Sequence, residues 1–151
     1  MSALGTIGKI VRSSLSRGGA RKSKKSPAPE LEKGTFDYIR EPKSDCFSVG
    51  FAKTDVMPDD MDKTAYYVAG YRMNNPAKGV LDPMTASAVW IDDLSGRGGV
   101  VFVSIDDIGL TNYDVGIIRD LLADFKKESG CRSINIMSIH NHASIDTVGL
   151  W

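Results

Sequence analysis

The stretch Gly99-Val-Val-Phe-Val-Ser-Ile-Asp106 is rich in β-branched and aromatic residues and is typical of a buried strand. A second such run, Ile134-Asn-Ile-Met-Ser-Ile139, follows further along the chain. The residues between the two runs have the spacing of a helix. A strand, a helix and a strand in this order predict a βαβ unit, in which the two strands are parallel and lie in one sheet.

The predicted helix has both its ends marked in the sequence. Its recurring apolar residues are Val115, Ile118, Leu122 and Phe125. The candidate N-caps are Thr111, Asn112 and Asp114. Lys126 and Lys127 favour the last turn, where cations suit the helix dipole, and Gly130 is the expected C-cap.

A further strand is predicted before this unit. The residues from Thr85 to Asp92 have strand character, and the glycine-rich Leu94-Ser-Gly-Arg-Gly-Gly99 is typical of a hairpin loop. A hairpin makes its two strands antiparallel, whereas the βαβ unit makes its strands parallel. We therefore predict an α/β fold with a mixed sheet and a βαβ crossover.

The two histidines of the chain lie two residues apart, in Ser138-Ile-His-Asn-His142. If the last strand extends through them, Ile134, Ile136, Ser138, His140 and His142 share one face of the sheet. The imidazoles would then lie at the carboxyl edge, where α/β sheets bind ligands. Neutral imidazole is a common zinc ligand and proton carrier, so the pair is a candidate site. The alternatives are an accidental pair, or rings satisfied by ordinary hydrogen bonds.

Five segments of the chain form a set of motifs, and they are Phe51-Ala-Lys-Thr-Asp-Val-Met-Pro58, Val68-Ala-Gly-Tyr71, Gly79-Val-Leu-Asp-Pro83, Val101-Phe-Val-Ser-Ile-Asp106 and the H-x-H at His140 and His142. In this order they resemble the amino-terminal part of the neutral (neutral/alkaline, non-lysosomal) ceramidases. The resemblance covers roughly residues 48 to 151. Members of this family are zinc amidohydrolases that cleave N-acylsphingosine into sphingosine and a fatty acid.

The resemblance implies a role for each histidine. His140 matches the family's first zinc ligand, and His142 matches the histidine that faces the substrate. A catalytic zinc keeps about three protein ligands and an open position, and it lowers the pKa of its water to about 7. A neighbouring imidazole hydrogen-bonds the amide carbonyl or moves a proton. The alternative for His142 is a structural hydrogen bond to the loop.

The chain departs from the family in two respects. The Ser-Gly-Pro that follows the family's H-x-H is replaced by Ala143-Ser-Ile145, so the resemblance does not identify the substrate. The family's other ligands, a histidine, a glutamate and a tyrosine, lie further along than Trp151. A site completed within these residues would need other ligands, and the candidates are Asp106, Asp107, Asp146 and Cys131. Asp106 and Asp107 could alternatively orient a histidine or cap the following loop.

We therefore expect an incomplete amino-terminal portion of a larger α/β domain. Residues 46–151 form the partial catalytic domain, and the chain alone should bind zinc weakly and hydrolyse no N-acyl lipid. The remaining part of the catalytic domain is then a partner, and an N-acyl lipid is the substrate of the complete protein. Two rival functions are a noncatalytic interaction module with structural histidines, and a zinc hydrolase acting on another amide or ester.

Charge and cysteine content narrow the class of protein. The chain has 19 basic and 19 acidic residues, which gives no reason to expect a nucleic-acid partner. Cys46 and Cys131 are too few for a disulfide framework, and two unpaired buried thiols are expected, with a single disulfide as the alternative. Residues 1–45 are predicted to form a basic, flexible tail and linker with weak affinity for anionic membranes, and the alternative is a transit peptide, because the first residues are rich in Ser and Arg and poor in acidic residues. No secretory signal or membrane span is found in the sequence, so a cytoplasmic protein is predicted.

Overall fold

The computed structural model describes residues 38–43 and 45–151. Four strands and two helices are found there: β1 Ser48–Asp55, β2 Thr85–Asp92, β3 Val100–Ile105, α1 Asn112–Leu121, α2 Ala123–Ser129 and β4 Ser133–Ser138. The tail and linker predicted over residues 1–45, with their membrane contact, lie outside the described residues except for 38–43 and 45. In the described residues, no helix combines the length and the apolar character needed to cross a membrane.

The four strands form one mixed sheet in the order β1-β2-β3-β4. Strands β1, β2 and β3 are antiparallel neighbours, and Ala88 of β2 lies opposite Val103 of β3. Strand β4 pairs with β3 in the parallel direction, with Val103 opposite Ile136. The predicted α/β class, the hairpin and the parallel βαβ unit are therefore confirmed.

The core lies between one face of this sheet and the helices. Val103 of β3 and Ile118 of α1 are fully buried in it, and Leu122 lies there beside Ile134 of β4. The opposite face carries large apolar side chains that remain exposed. This open face comprises Val49, Phe51, Phe102 and Met137.

The crossover helix is capped as predicted but is not continuous. The Thr111 side chain accepts a hydrogen bond from the Asp114 backbone N–H, and Asp114 completes a capping box. The helix divides at Leu122, where the backbone N–H contacts the carbonyls of both Ile118 and Arg119. Such a shared bond tightens the turn, so α2 begins as a separate segment. It ends at Gly130, which adopts the left-handed conformation at φ 71°.

Candidate functional site

The carboxyl ends of β3 and β4 meet at one edge of the sheet, as parallel strands require. The chain beyond β4 stays beside β3, because the Ile139 N–H donates to the Ile105 carbonyl over 3.0 Å and the Asn141 N–H to the Asp107 carbonyl over 2.8 Å. We call residues 139–145 the H-x-H loop. Both histidines lie in it, at the edge where the sequence places them.

The prediction that β4 extends through the histidines is wrong. The strand ends at Ser138, and His140 adopts the left-handed conformation with φ 63°. A residue in this conformation cannot continue an extended strand. The two rings nevertheless come together, with centroids 4.8 Å apart and planes at 78°. A turn, and not the pleat of a strand, therefore brings the imidazoles to one place.

The His140 ring has a defined orientation. Its Nδ1 lies 2.8 Å from the Ile108 carbonyl oxygen, in the segment that leaves β3. A carbonyl only accepts, so Nδ1 carries the proton and Nε2 keeps its lone pair. Metal-binding histidines commonly make this same hydrogen bond through the nitrogen that does not bind the metal. His140 is exposed, so Nε2 is the nitrogen available to an incoming group.

The His142 ring is held by the segment around Gly70. A Cβ added at Gly70 would lie 2.0 Å from Nδ1 of His142, so only glycine permits this packing. The φ of Gly70 is +107°, which also favours glycine. The Tyr71 ring also lies beside the imidazole, with centroids 4.7 Å apart and planes tilted by 46°. Nδ1 of His142 is buried and has no hydrogen-bond partner among the described residues, which leaves Nε2 to meet a ligand.

Backbone hydrogen bonds fix these two segments together. The Ala69 N–H donates to the Ser144 carbonyl over 3.0 Å, and the Asp146 N–H donates to the Tyr67 carbonyl over 2.7 Å. Because both bonds are made by residues just before Gly70, the segment that carries the glycine is held against the chain around Ser144. The position of His142 is therefore set by backbone contacts as well as by ring packing.

Asp106 and Asp107 differ sharply in their surroundings, and neither hydrogen-bonds a histidine. Asp106 accepts from the Thr85 N–H over 3.1 Å and from the Thr85 hydroxyl over 2.6 Å, which anchors β2 to the end of β3. Asp107 is fully buried, and neither carboxyl oxygen has a hydrogen-bond partner in the described part of the chain. The ring of His140 is oriented by a backbone carbonyl instead.

Burial raises the pKa of Asp107 to about 6, and the neighbouring Asp106 carboxylate adds to this rise. The Ser138 side chain offsets part of it without reaching hydrogen-bond geometry with either oxygen. The carboxyl group lies at the base of the H-x-H loop, because the carbonyl of the same residue binds Asn141. The Asp107 backbone therefore holds the H-x-H loop through its carbonyl. Its side chain is buried where the charged carboxylate is disfavoured.

The other ligand candidates lie apart from the histidines. Asp146 accepts from the N–H groups of Val148, Gly149 and Trp151, and so holds the last residues in a turn. The Cys131 thiol donates to the Ser133 carbonyl at the amino end of β4. Across residues 38–43 and 45–151, no group of three or more His, Cys, Asp or Glu side chains could hold a metal.

Cys46 also departs from expectation, because it is exposed. It lies just before β1, which is an edge strand of the described sheet. The expectation of two buried thiols therefore holds for Cys131 alone.

Zinc fits His140 but not a complete site within the described residues. The Nδ1 hydrogen bond prepares Nε2 as a ligand, and the second imidazole lies close enough to act on a group bound there. A catalytic zinc needs about three protein ligands, and the described residues bring together fewer. The arrangement can offer one metal ligand and one hydrogen-bonding imidazole.

Three features of the site are absent from the sequence-based prediction. They are the Ile108 carbonyl that orients His140, the packing of His142 against Gly70, and the Tyr71 ring beside His142. The segment Val68-Ala-Gly-Tyr71 does carry a signal, because it is one of the five motifs in the resemblance. A carbonyl contact carries no signal of its own, since every residue has the same group.

Comparison with known proteins finds no relative of this chain. No protein-family model, no curated protein and no solved structure matches the chain at a significant level. The resemblance to the neutral ceramidases therefore rests on the five motifs and their order, and the function of the chain is a matter for proposal.

Proposed function

We propose that this chain supplies part of the active site of a zinc-dependent amidohydrolase that resembles the neutral ceramidases. The observation that carries the proposal is the His140 Nδ1 contact with the Ile108 carbonyl, 2.8 Å long, beside a second imidazole whose centroid lies 4.8 Å away. The further zinc ligands come from outside the described residues, which hold no three-ligand group.

His140 binds the metal through Nε2 in this proposal. The Ile108 carbonyl holds the proton on Nδ1 and fixes the plane of the ring, so the lone pair of Nε2 has a set direction. When bound, zinc supplies a Lewis acid and lowers the pKa of water enough for hydroxide to form near neutral pH. An interaction module with structural histidines would not require this tautomer.

His142 acts on the substrate through Nε2. Its Nδ1 is buried against Gly70, so the ring can approach a ligand only by its other nitrogen. A proton on Nε2 is donated to the amide carbonyl oxygen as that oxygen gains negative charge. The Tyr71 ring and Gly70 keep the imidazole from turning away as this charge develops.

The substrate class follows from the resemblance. We propose an N-acyl lipid, with N-acylsphingosine as the first compound to test, because the five motifs are similar to those of ceramidases. The replacement of Ser-Gly-Pro by Ala143-Ser-Ile145 makes a panel of amides and esters necessary. A cytoplasmic location goes with this proposal and stays a prediction.

The proposal can be tested on the chain itself with zinc alone. Because there are only two histidines, a long-range 15N–1H spectrum of the imidazoles contains two rings. We expect the His140 ring to show a protonated Nδ1, and added Zn2+ to shift its Nε2 at millimolar concentration. His140→Ala should abolish this response, whereas His142→Ala should retain it, since His142 is not a ligand.

The same two variants give a second readout in the complete protein. His140→Ala should remove both bound zinc and amidase activity, whereas His142→Ala should keep the zinc and lower turnover by about 10²-fold or more, as the loss of one oxyanion partner does. Equal zinc loss in the two variants, measured by elemental analysis, would contradict the assigned roles. Zinc-independent binding of a protein partner with no turnover would favour the interaction module instead.

A further inference from the structure

A cavity of about 350 Å3 lies next to the H-x-H loop, where Asp106 follows the end of β3. Its lining is about equally apolar and polar. The apolar part includes Met57, Met61 and Met84, and the polar part includes the side chains of Asp82 and Asp106. We call it the methionine cavity.

The methionine cavity contains negative charge without a cation to balance it. No lysine, arginine or histidine lines it in the described part of the chain. Asp106 accepts from the N–H and the hydroxyl of Thr85, which are neutral donors, and Asp82 is exposed. A partner that fits this lining therefore combines apolar side chains for the methionines with positive charges for the carboxylates.

The first 37 residues of the chain, which lie outside the described residues, have the matching charge. They contain 8 basic and 3 acidic residues, whereas residues 38–151 contain 11 basic and 16 acidic residues. The two parts therefore have formal charges of +5 and −5, which attract each other. The zero net charge of the whole chain conceals this division.

The segment of residues 7–15 combines positive charge with apolar side chains. Four of its apolar residues have the spacing of one face of a helix, and they are Ile7, Ile10, Val11 and Leu15. Lys9 and Arg12 lie between them in the sequence. Basic amphipathic segments bind in methionine-rich grooves, because flexible thioether side chains adapt to the apolar groups that enter. The composition of residues 7–15 therefore fits the lining of the methionine cavity.

The connection between this segment and the fold is long enough to reach the cavity. The Ile39 N–H donates to the Gly96 carbonyl over 2.7 Å, so residue 39 lies beside the hairpin loop that precedes β3. The cavity lies at the other end of β3, which spans about 20 Å at 3.3 Å per residue. Residues 16–37 span up to about 70 Å when fully extended. The tether also makes the contact intramolecular, so a weak interaction is sufficient.

We propose that residues 7–15 dock in the methionine cavity of the same molecule. Their apolar side chains contact the methionines, and Lys9 and Arg12 lie beside the carboxylates of Asp82 and Asp106. Asn141 and Ala143 also line the cavity and flank His142, so the docked segment restricts the approach to that imidazole. The contact is an autoinhibitory device, and it does not depend on the chemistry proposed for the histidines.

The experiment uses the full chain with 13C at the methionine methyl groups and a nitroxide beside Leu15. Ser14→Cys provides the thiol for the nitroxide, and Cys46→Ser removes the exposed native thiol. Cys131 is buried and therefore does not react with the label. The sample contains an excess of chains that carry neither label, so contacts between labelled molecules are rare.

We expect the nitroxide to weaken the methyl signals of the three cavity methionines, Met57, Met61 and Met84. The signal of Met137, which lies on the open face and does not line the cavity, should be weakened less. High salt should restore the cavity signals, because exposed charges are screened. The measurement needs neither zinc nor a substrate.

A matched pair of charge variants tests which cations are used. The double variant Lys9→Glu with Arg12→Glu should abolish the weakening of the cavity signals. Lys22→Glu with Lys24→Glu changes the net charge by the same amount outside residues 7–15 and should retain it. Adding Asp82→Lys to the first double variant should restore part of the effect, since Asp82 is exposed and its replacement leaves the core intact.

Several outcomes would overturn the inference. They are unweakened signals at the cavity methionines, equal weakening at Met137, equal losses in the two charge variants, and no recovery with Asp82→Lys. Weakening in a mixture where the nitroxide and the 13C are on different molecules would show docking onto a second copy instead. Loss of the zinc response in His140→Ala leaves the docking unchanged, so the proposed function and this inference can fail separately.

Discussion

At the residue scale, the site depends on close contacts that few other side chains would permit. His140 needs a carbonyl acceptor and a left-handed backbone, and His142 needs a glycine beneath its ring. Asp107 has the opposite character, because its carboxyl group is fully buried with no partner for its oxygens among the described residues. Each of these features makes a measurable difference when the residue is changed.

Gly70→Ala should displace His142. The new Cβ would lie 2.0 Å from Nδ1, and the φ of +107° is unfavourable for alanine. We expect a loss of about 1–3 kcal/mol in the free energy of unfolding, measured with urea, and a changed His142 imidazole spectrum. Gly79→Ala is the control, since its Cβ meets nothing within 4 Å. An unchanged His142 spectrum in Gly70→Ala would contradict the role of Gly70.

Asp107→Asn should stabilise the protein at neutral pH. Burial raises the pKa of this carboxyl to about 6, above its value in the unfolded chain. The folded state therefore holds the proton more tightly, and stability from this group falls as the pH rises from about 4 through 6. Asparagine avoids the buried charge, so the variant should exceed the parent by about 2–3 kcal/mol at pH 7.

The comparison of the two proteins across pH isolates this group from all others. At pH 4 the Asp107 carboxyl is protonated in the folded protein, so Asp107→Asn and the parent should be nearly equal in urea unfolding. The difference should grow between pH 4 and 6 and then level off. A parent that gains stability over Asp107→Asn in this interval would mean that the carboxylate has a stabilising partner.

At the element scale, the crossover helix carries the chain from β3 to β4 and so sets where the H-x-H loop begins. Its first turn is fixed by a reciprocal pair of hydrogen bonds between Thr111 and the buried Asp114. Its last turn ends at Gly130, and β4 begins at Ser133. The boundaries of α1 and α2 therefore determine the register of β4 against β3.

Thr111→Ala should weaken this helix. The substitution removes the side-chain acceptor of the Asp114 N–H and leaves the buried carboxylate without its hydroxyl donor, which lies 2.7 Å away. We expect a loss of about 1–2 kcal/mol in the free energy of unfolding. Thr111→Ser, which keeps the hydroxyl, should lose much less. Equal losses in the two variants would show that the methyl group and not the cap is important.

Strands β2 and β3, the start of β4 and the two ends of the crossover helix could be predicted from the sequence because each carries a local signal. Thr85–Asp92 is a strand with the predicted bounds, and the Thr111 cap and Gly130 stop lie where their side chains indicate. Strand β1 is not predicted, since its outer face mixes Val49 and Phe51 with Lys53 and Asp55, which weakens the alternating pattern. Pairing with β2 makes it a strand.

The site could be predicted only in part. The placement of both histidines at the sheet edge follows from topology, but the left-handed turn at His140 depends on contacts with the segment after β3. The packing of His142 against Gly70 joins two residues that are far apart in the chain, and a local sequence pattern cannot predict such a contact.

At the scale of the whole molecule, the described residues cover one face of the sheet and leave large apolar side chains exposed on the other. The helices and the core lie on one face of the sheet, whereas Val49 and Phe51 of the open face are 67% and 70% exposed. Parallel sheets usually have both faces covered, and exposed apolar patches of this kind mark contact surfaces. Strand β1 is also an edge of the described sheet, with backbone groups available for pairing.

We expect the chain to self-associate through the open face, and Phe51→Lys to reduce this association. A charge on the open face opposes its burial against another surface, and Phe51 is exposed enough for the fold to tolerate the change. We expect a weight-average mass closer to the monomer in sedimentation equilibrium, with less than about 0.5 kcal/mol change in unfolding. Leu121→Lys, a similarly exposed position on α1, is the control and should not alter the mass.

At position 140, the residue that would best stabilise the left-handed backbone differs from the residue that the proposed metal site requires. Glycine and asparagine accept a φ of 63° more readily than histidine does, so a sequence selected for stability alone would favour them here. A histidine in this conformation costs the fold strain energy, which its hydrogen bond to the Ile108 carbonyl counteracts. Screens that reward thermal stability would therefore tend to remove this imidazole first, and the more robust proteins they yield would lack the group on which the proposed metal site depends.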